Sequence, residues 1–228
     1  MSGIELSKGG VRLGETDVLH DVTLSLPARS VAIIGDNGSG KSTLARLIAG
    51  LVPATSGTVR VLGLDPARQG AELRRRVAVI FSNPDAQIVM PTVRDDVAFS
   101  LRAEKLSADD RATRVTAALE RFGLADLADR SCHDLSGGQK QLLALCGAFV
   151  RRPELVIADE PTAYLDARNA RLVADHLLAG TAHRLVLVTH DLALARRCDT
   201  AVLVDGGRVA ATGQSAQTVD HYERMLRC

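Results

Sequence analysis

Residues Gly35 to Ser42 read GDNGSGKS, and their surroundings constrain the fold more than any other feature of the chain. Val31, Ile33 and Ile34 run straight into Gly35, and a helical apolar pattern from Ser42 to Ala49 follows and stops at Gly50. This is a buried strand, a glycine-rich turn and a helix, in the spacing G-x-x-x-x-G-K-[ST]. Glycines let consecutive backbone N–H groups converge on one anion without Cβ clashes, and the helix N-terminus adds partial positive charge. By residue frequency the spacing arises in roughly 1% of chains this long, and the strand–loop–helix context lowers that further. The loop therefore predicts a bound nucleoside triphosphate with its magnesium ion. Gly35, Asp36, Asn37, Gly38, Ser39, Gly40, Lys41, Ser42 and Thr43 are the expected nucleotide contacts, with Lys41 reaching the β- and γ-phosphates and Ser42 binding Mg²⁺.

Such a loop needs an acidic partner at the end of another buried strand. Leu155-Val156-Ile157-Ala158 supplies the strand, and Asp159 and Glu160 follow it. Asp159 is expected to hold Mg²⁺ and Glu160, one residue further out, to polarise an attacking water. Further strands are expected at Thr58 to Leu62, Leu185 to Val188, Ala201 to Val204 and Val209 to Ala211. An alternating stretch through Val18, Val22, Leu24 and Leu26 precedes the loop. Asp166 to Leu178 reads as a helix stopped near Gly180. Ser107, three residues before Asp110, caps a helix carrying Ala112, Val115, Leu119 and Phe122 and ending at Gly123. Ser215 to Cys228 reads as a short amphipathic helix, and Arg74-Arg75-Arg76 as a solvated helix face. The pattern predicts one α/β domain over residues 1–228, with a parallel sheet and a helical insertion at about 84–150.

Composition narrows the function. Net charge is +1 and aromatics are 3% of the 228 residues, with no Trp. There is neither a basic footprint nor a stacking platform for nucleic acid, so no nucleic-acid partner is expected. Cys132, Cys146, Cys198 and Cys228 lie far apart with no CxxC pair, which predicts reduced thiols in a cytosolic protein. The start MSGIELSKGG has no apolar signal core, and the apolar run Leu142 to Val150 is far short of the roughly 20 residues of a membrane span.

Leu135-Ser136-Gly137-Gly138-Gln139, placed between the phosphate loop and the Asp159 strand, resembles the signature of ABC-type ATPases. The resemblance covers nearly the whole chain. It implies a P-loop NTPase core, an N-terminal antiparallel β subdomain and an inserted helical subdomain. Asp166 after Leu165 looks like the family's D-loop, and His190 after Leu185-Val186-Leu187-Val188-Thr189 like its switch histidine. His190 is then expected, with Glu160, to be catalytic, contacting the γ-phosphate and holding the attacking water. Ser136, Gly137, Gly138 and Gln139 are small or polar residues opening a helix, a second anion site. Read alone, they are equally a Ser-capped helix start. In the family the signature faces the ATP of a partner chain, so a head-to-tail dimer, most simply a homodimer, is implied.

Two positions depart from the family. Its usual adenine-stacking aromatic is replaced by Leu13, which packs on a base but offers no π-face; weak discrimination between ATP and GTP follows. Its usual Gln after the strand Val77 to Phe81 is Ser82, too short for an equivalent contact to Mg²⁺ and water, and Gln87 lies five residues on.

The segment Phe81-Ser82-Asn83-Pro84-Asp85-Ala86-Gln87-Ile88-Val89, then Pro91-Thr92-Val93, looks like the ATPases of energy-coupling factor importers, most like the biotin-transporter member with cobalt and nickel members next. The implied partners are a transmembrane coupling subunit and a substrate-binding membrane subunit, with the ATPase peripheral on the cytoplasmic face of the membrane. Soluble ABC ATPases of DNA repair or translation share the motifs but are expected with tandem domains or a basic surface. A catalytically dead regulatory domain is expected without Glu160, His190 or the signature glycines.

Overall fold

The computed structural model describes residues 3–179 and 182–227. Its N-terminal part is an antiparallel sheet. Strands β1 (Ile4–Leu13) and β2 (Thr16–Leu26) form a hairpin closed at Leu13 and Thr16, and β4 (Ser56–Val61) pairs along the other edge of β1, giving the order β2-β1-β4. Ile4, Leu6, Leu19, Val22, Leu24 and Leu26 are buried, as alternation in a sheet with one covered face requires.

The main sheet has the order β5-β6-β7-β3-β8-β9. It comprises β3 (Ser30–Ile34), β5 (Val77–Ile80), β6 (Leu155–Asp159), β7 (Arg184–Val188), β8 (Thr200–Asp205) and β9 (Arg208–Gln214). β3 lies parallel to both β7 and β8, and β6 parallel to β7. Every residue of β3 and β6 is buried, the continuous apolar run of strands covered on both faces. β9 runs antiparallel to β8. Gly206 and Gly207, at φ 48° and 75°, form the two-residue turn in which both residues need positive φ. The four strands β6, β7, β3 and β8 are thus parallel, with β9 antiparallel at one edge.

This order decides where the chemistry sits. Strands β6, β7 and β3 are neighbours, so their C-terminal ends lie side by side. From those ends leave, in turn, Glu160, Thr189-His190 and the phosphate loop, in the position where parallel α/β sheets bind ligands. Helix α1 (Lys41–Ile48) follows the loop and stops before Gly50 at φ 69°. Helix α2 (Pro66–Arg76) precedes β5. Arg74 and Arg75 are exposed, as a solvated helix face requires, and the half-buried Arg76 makes in addition a bidentate pair with Glu154 at 2.6 and 2.7 Å.

The chain divides into two compact units. One takes the chain up to Ala78, Glu154–Glu160 and the stretch after the sixth helix; the other takes Val79–Pro153 and Pro161–Ala179. The second unit is helical: α3 (Val93–Ser100), α4 (Ala108–Arg121), α5 (Gly137–Phe149) and α6 (Ala167–Leu178). Ser107 caps α4 as expected, its Oγ accepting from Asp110 N at 3.1 Å. Val115, Leu119 and Phe122 are buried whereas Ala112 is exposed. Phe122 stacks on His176 with centroids 4.4 Å apart and meets Phe149 at 5.8 Å. Burial, with Arg121 nearby, holds the His176 imidazole below its usual pKa. The expected helix stop at Gly180 and the fourth cysteine, Cys228, lie outside the described residues; α6 ends at Leu178. Cys132, Cys146 and Cys198 are buried and free, and burial pushes the Cys146 and Cys198 thiols up to about 12. Among the described residues no helix is long and apolar enough to cross a membrane.

Candidate functional site

The phosphate loop is shaped by close backbone contacts. Gly35 has φ 138°, and a Cβ there would stand 2.0 Å from the Val204 carbonyl oxygen. Gly40, at φ 105°, sits before the first turn of α1, where a Cβ would meet Leu19 Cδ2 at 2.9 Å. A side chain has no room at Gly35, and at Gly40 it would be strained by the left-handed backbone while crowding Leu19. Ser39 N donates to Asp36 O at 3.1 Å, and Gly207 N donates to Ser39 O at 2.9 Å. Lys41 is buried and its ammonium folds back across the loop, donating to the carbonyls of Gly35 at 2.8 Å and Asp36 at 2.6 Å. Desolvation lowers its pKa, while the nearby carboxylates of Glu160, Asp36 and Asp159 oppose that shift. Ser39 Oγ is buried without a hydrogen-bond partner. An unpaired buried hydroxyl costs about 1–3 kcal/mol, and in a loop of N–H donors beside an ammonium it fits an anionic oxygen.

Ser42 Oγ donates to Asp159 Oδ1 at 2.9 Å, joining the first turn of α1 to the end of β6. A hydroxyl and a buried carboxylate are both hard oxygen donors, the type Mg²⁺ takes alongside phosphate and water. The pair fits that ion.

Glu160 and His190 come together. Glu160 has left-handed φ of 51° and its N–H is held by Val188 O at 2.9 Å. A non-glycine residue in this region carries backbone strain, which is characteristic of functional turns. The strained turn directs the carboxylate so that Oε2 accepts from His190 N at 3.4 Å and lies 2.8 Å from His190 Nδ1. The Glu160 side chain is mostly covered, whereas His190 is largely open to solvent. Sequence reasoning placed both against a water and a phosphate; the structure adds that they contact each other.

In the helical unit, Ser136 and Gly137 are exposed at the start of α5. Ser136 Oγ accepts from Gln139 N at 3.3 Å, and Gln139 Oε1 accepts from Ser136 N at 2.9 Å. This reciprocal capping box shows that the helix-start reading of these residues holds, and it leaves Gly137 open. Asp166 caps α6: Oδ1 accepts from Asn169 N at 2.9 Å and Oδ2 from Asn169 Nδ2 at 2.7 Å. Those bonds hold its carboxyl below the usual range. Asn169 also explains Gly138, since a Cβ there would lie 2.5 Å from Asn169 Cγ. The chain after β5 is pinned as well. Gln87 Oε1 accepts from Phe81 N at 2.8 Å, Gln87 Nε2 donates to Val79 O at 2.9 Å, and Gln141 Nε2 donates to Phe81 O at 3.3 Å. The Gln87 amide is therefore committed to backbone and does not stand in for the Gln missing at Ser82. Leu13 ends β1 with 46% of its surface exposed.

Asn169, Gln141 and Tyr222 belong to these arrangements and were not singled out from the sequence. Asn169 had a local signal, an Asx residue three after the capping Asp166. Tyr222 had none; its hydroxyl meets Asp36 from 186 positions away.

The chain is similar to known proteins along most of its length. The family described as ABC transporter matches residues 19–163. The biotin transport ATP-binding protein BioM of Rhizobium etli is 39% identical over 97% of this chain and 98% of its own length. The energy-coupling factor transporter ATP-binding protein EcfA1 of Lactiplantibacillus plantarum is 38% identical over 92% of this chain and 76% of its own. Among solved structures, cbiO1 from Clostridium perfringens, part of the ABC transporter complex cbiONQ, superposes with TM-score 0.87 at 29% identity, over 98% of this chain and 93% of that one. The dimeric post-hydrolysis structure of the ATP-binding cassette MJ0796 with ADP and Pi has TM-score 0.81 at 25% identity, over 92% and 98%.

Proposed function

The chain belongs to the ABC transporter family of ATPases, and from that premise we propose that it is the ATP-hydrolysing subunit of an energy-coupling factor importer whose solute is biotin. The observation that carries the proposal is the 39% identity to the R. etli biotin transport protein across almost the full length of both chains. The 38% identity to EcfA1 supports the importer class. A second reading, an importer of cobalt or nickel ions, stays with the segment Phe81 to Val93, where those members are the next resemblance.

In this reading the phosphate loop and Lys41 bind the triphosphate of ATP, with Ser39 Oγ among the donors. Ser42 and Asp159 would hold Mg²⁺, which would supply charge neutralisation to the triphosphate. Glu160 orients and polarises the attacking water, and His190, fixed against its carboxylate, aligns that water with the γ-phosphate. The start of α5, Ser136 to Gln139, with Ser136 and Gly137 exposed, serves the ATP of a second copy, with Asp166 at the same junction. One chain thus carries half of each of two composite sites. Closure on ATP and reopening after hydrolysis pass to a transmembrane coupling subunit, while a separate membrane subunit selects the solute. The chain sits on the cytoplasmic face of the membrane through those partners.

The test is uptake by membranes carrying this chain together with its coupling and solute-binding subunits. Labelled biotin should accumulate with the parent chain and not with Lys41→Ala. Accumulation of cobalt or nickel in place of biotin transfers the proposal to the second reading.

A further inference from the structure

The C-terminal elements reach the phosphate loop at three points. The Val204 carbonyl of β8 lies against Gly35, and Gly207 N of the β8–β9 turn donates to Ser39 O at 2.9 Å. From the last helix, α8 (Ser215–Met225), the Tyr222 hydroxyl donates to Asp36 Oδ1 at 2.5 Å.

Helix α8 is itself fixed. Val219 is fully buried. Ser215 Oγ donates to Ala195 O at 2.6 Å, and Arg196 pairs with Asp220 at 2.6 Å and Glu223 at 3.2 Å. Ala195 ends α7 (Leu192–Ala195), the short helix that begins two residues after His190. The helix carrying Tyr222 is therefore anchored on the segment that also carries His190.

Asp36 occupies a demanding place. Its carbonyl accepts both Ser39 N and the Lys41 ammonium. Its carboxylate is a negative charge inside a loop that must receive a triphosphate. Left untethered, that carboxylate competes with phosphate for the loop's N–H groups and for Lys41.

We propose that Tyr222 is a positioning residue for nucleotide binding: its hydroxyl ties the Asp36 carboxylate to α8 and so keeps the phosphate loop open to ATP. Burial and the Asp36 carboxylate push the Tyr222 pKa up to about 12, so the hydroxyl keeps its proton and donates at neutral pH.

The experiment measures MgATP binding to the purified chain by calorimetry and turnover by phosphate release. Tyr222→Phe removes only the hydroxyl. It should raise the Kd for MgATP about tenfold, the loss of one charge-assisted hydrogen bond. Turnover at saturating ATP should stay within about twofold, since binding rather than the chemical step is affected. In an Asp36→Ala background the same change should have no effect on Kd. An unchanged Kd in Tyr222→Phe, or a tenfold loss that persists with Asp36→Ala, overturns the proposal. The inference rests on the loop holding ATP, which Lys41→Ala tests separately because it leaves Asp36 and Tyr222 in place. ATP binding undiminished by that change removes the premise and the inference with it.

Discussion

Glu160 Oε2 lies 2.8 Å from His190 Nδ1, joining the ends of the adjacent strands β6 and β7. A carboxylate committed to an imidazole is oriented before any water arrives. Glu160→Gln should therefore lower turnover by about 10²- to 10⁴-fold, the usual range for a lost general base, while MgATP binding is retained. The same variant should accumulate as a dimer in MgATP, read by size-exclusion chromatography. A Glu160→Gln chain that stays monomeric in saturating MgATP contradicts the sandwich of two chains.

We propose that Leu13, exposed at the end of β1, packs on the nucleotide base, which would then meet an apolar surface and no ring. GTP should compete with ATP for binding at a near-equal Kd in a displacement titration. Leu13→Tyr supplies the missing ring and should strengthen ATP binding by about 1–3 kcal/mol, the range found for base–aromatic stacking. Strict preference for ATP in the parent chain contradicts this account.

Gly138 faces the Asn169 side chain with no room for a methyl group. Gly138→Ala must displace Asn169 and with it the cap that Asp166 makes on α6. Overpacking of this kind costs about 1–3 kcal/mol. Turnover should fall by about tenfold or more, whereas the Kd of the phosphate loop for MgATP should not change. Phosphate release and calorimetry on the same preparation separate the two effects.

Asp96 is buried, and its Oδ1 accepts from Val89 N at 2.8 Å and Met90 N at 3.0 Å. Desolvation raises its pKa more than those two bonds lower it. The folded-state pKa thus lies above the unfolded value, so the native state favours the protonated form. Stability from this group is present below the unfolded pKa and is lost as pH rises through the folded one. Asp96→Asn keeps the acceptor and removes the charge, so it should be neutral at acidic pH and stabilising near pH 7. Asp96→Ala leaves two buried N–H groups unpaired and should cost about 1–3 kcal/mol. Urea unfolding at both pH values checks the signs.

The phosphate loop, the strand ending in Asp159, the capped starts of α4 and α5 and the span of α6 were all visible in the sequence. Each is built from consecutive residues, so spacing alone carries it: a cradle of backbone N–H groups needs its glycines at fixed intervals, and a cap needs its donor three residues on. The tertiary structure decided which of these pieces touch. Strand order β6-β7-β3 brought Glu160 to His190, close packing of α5 and α6 put Asn169 where Gly138 must have no side chain, and α8 brought Tyr222 to Asp36. Such pairs leave no periodic trace, because their geometry comes from how strands and helices pack and not from the turn or rise of any one of them.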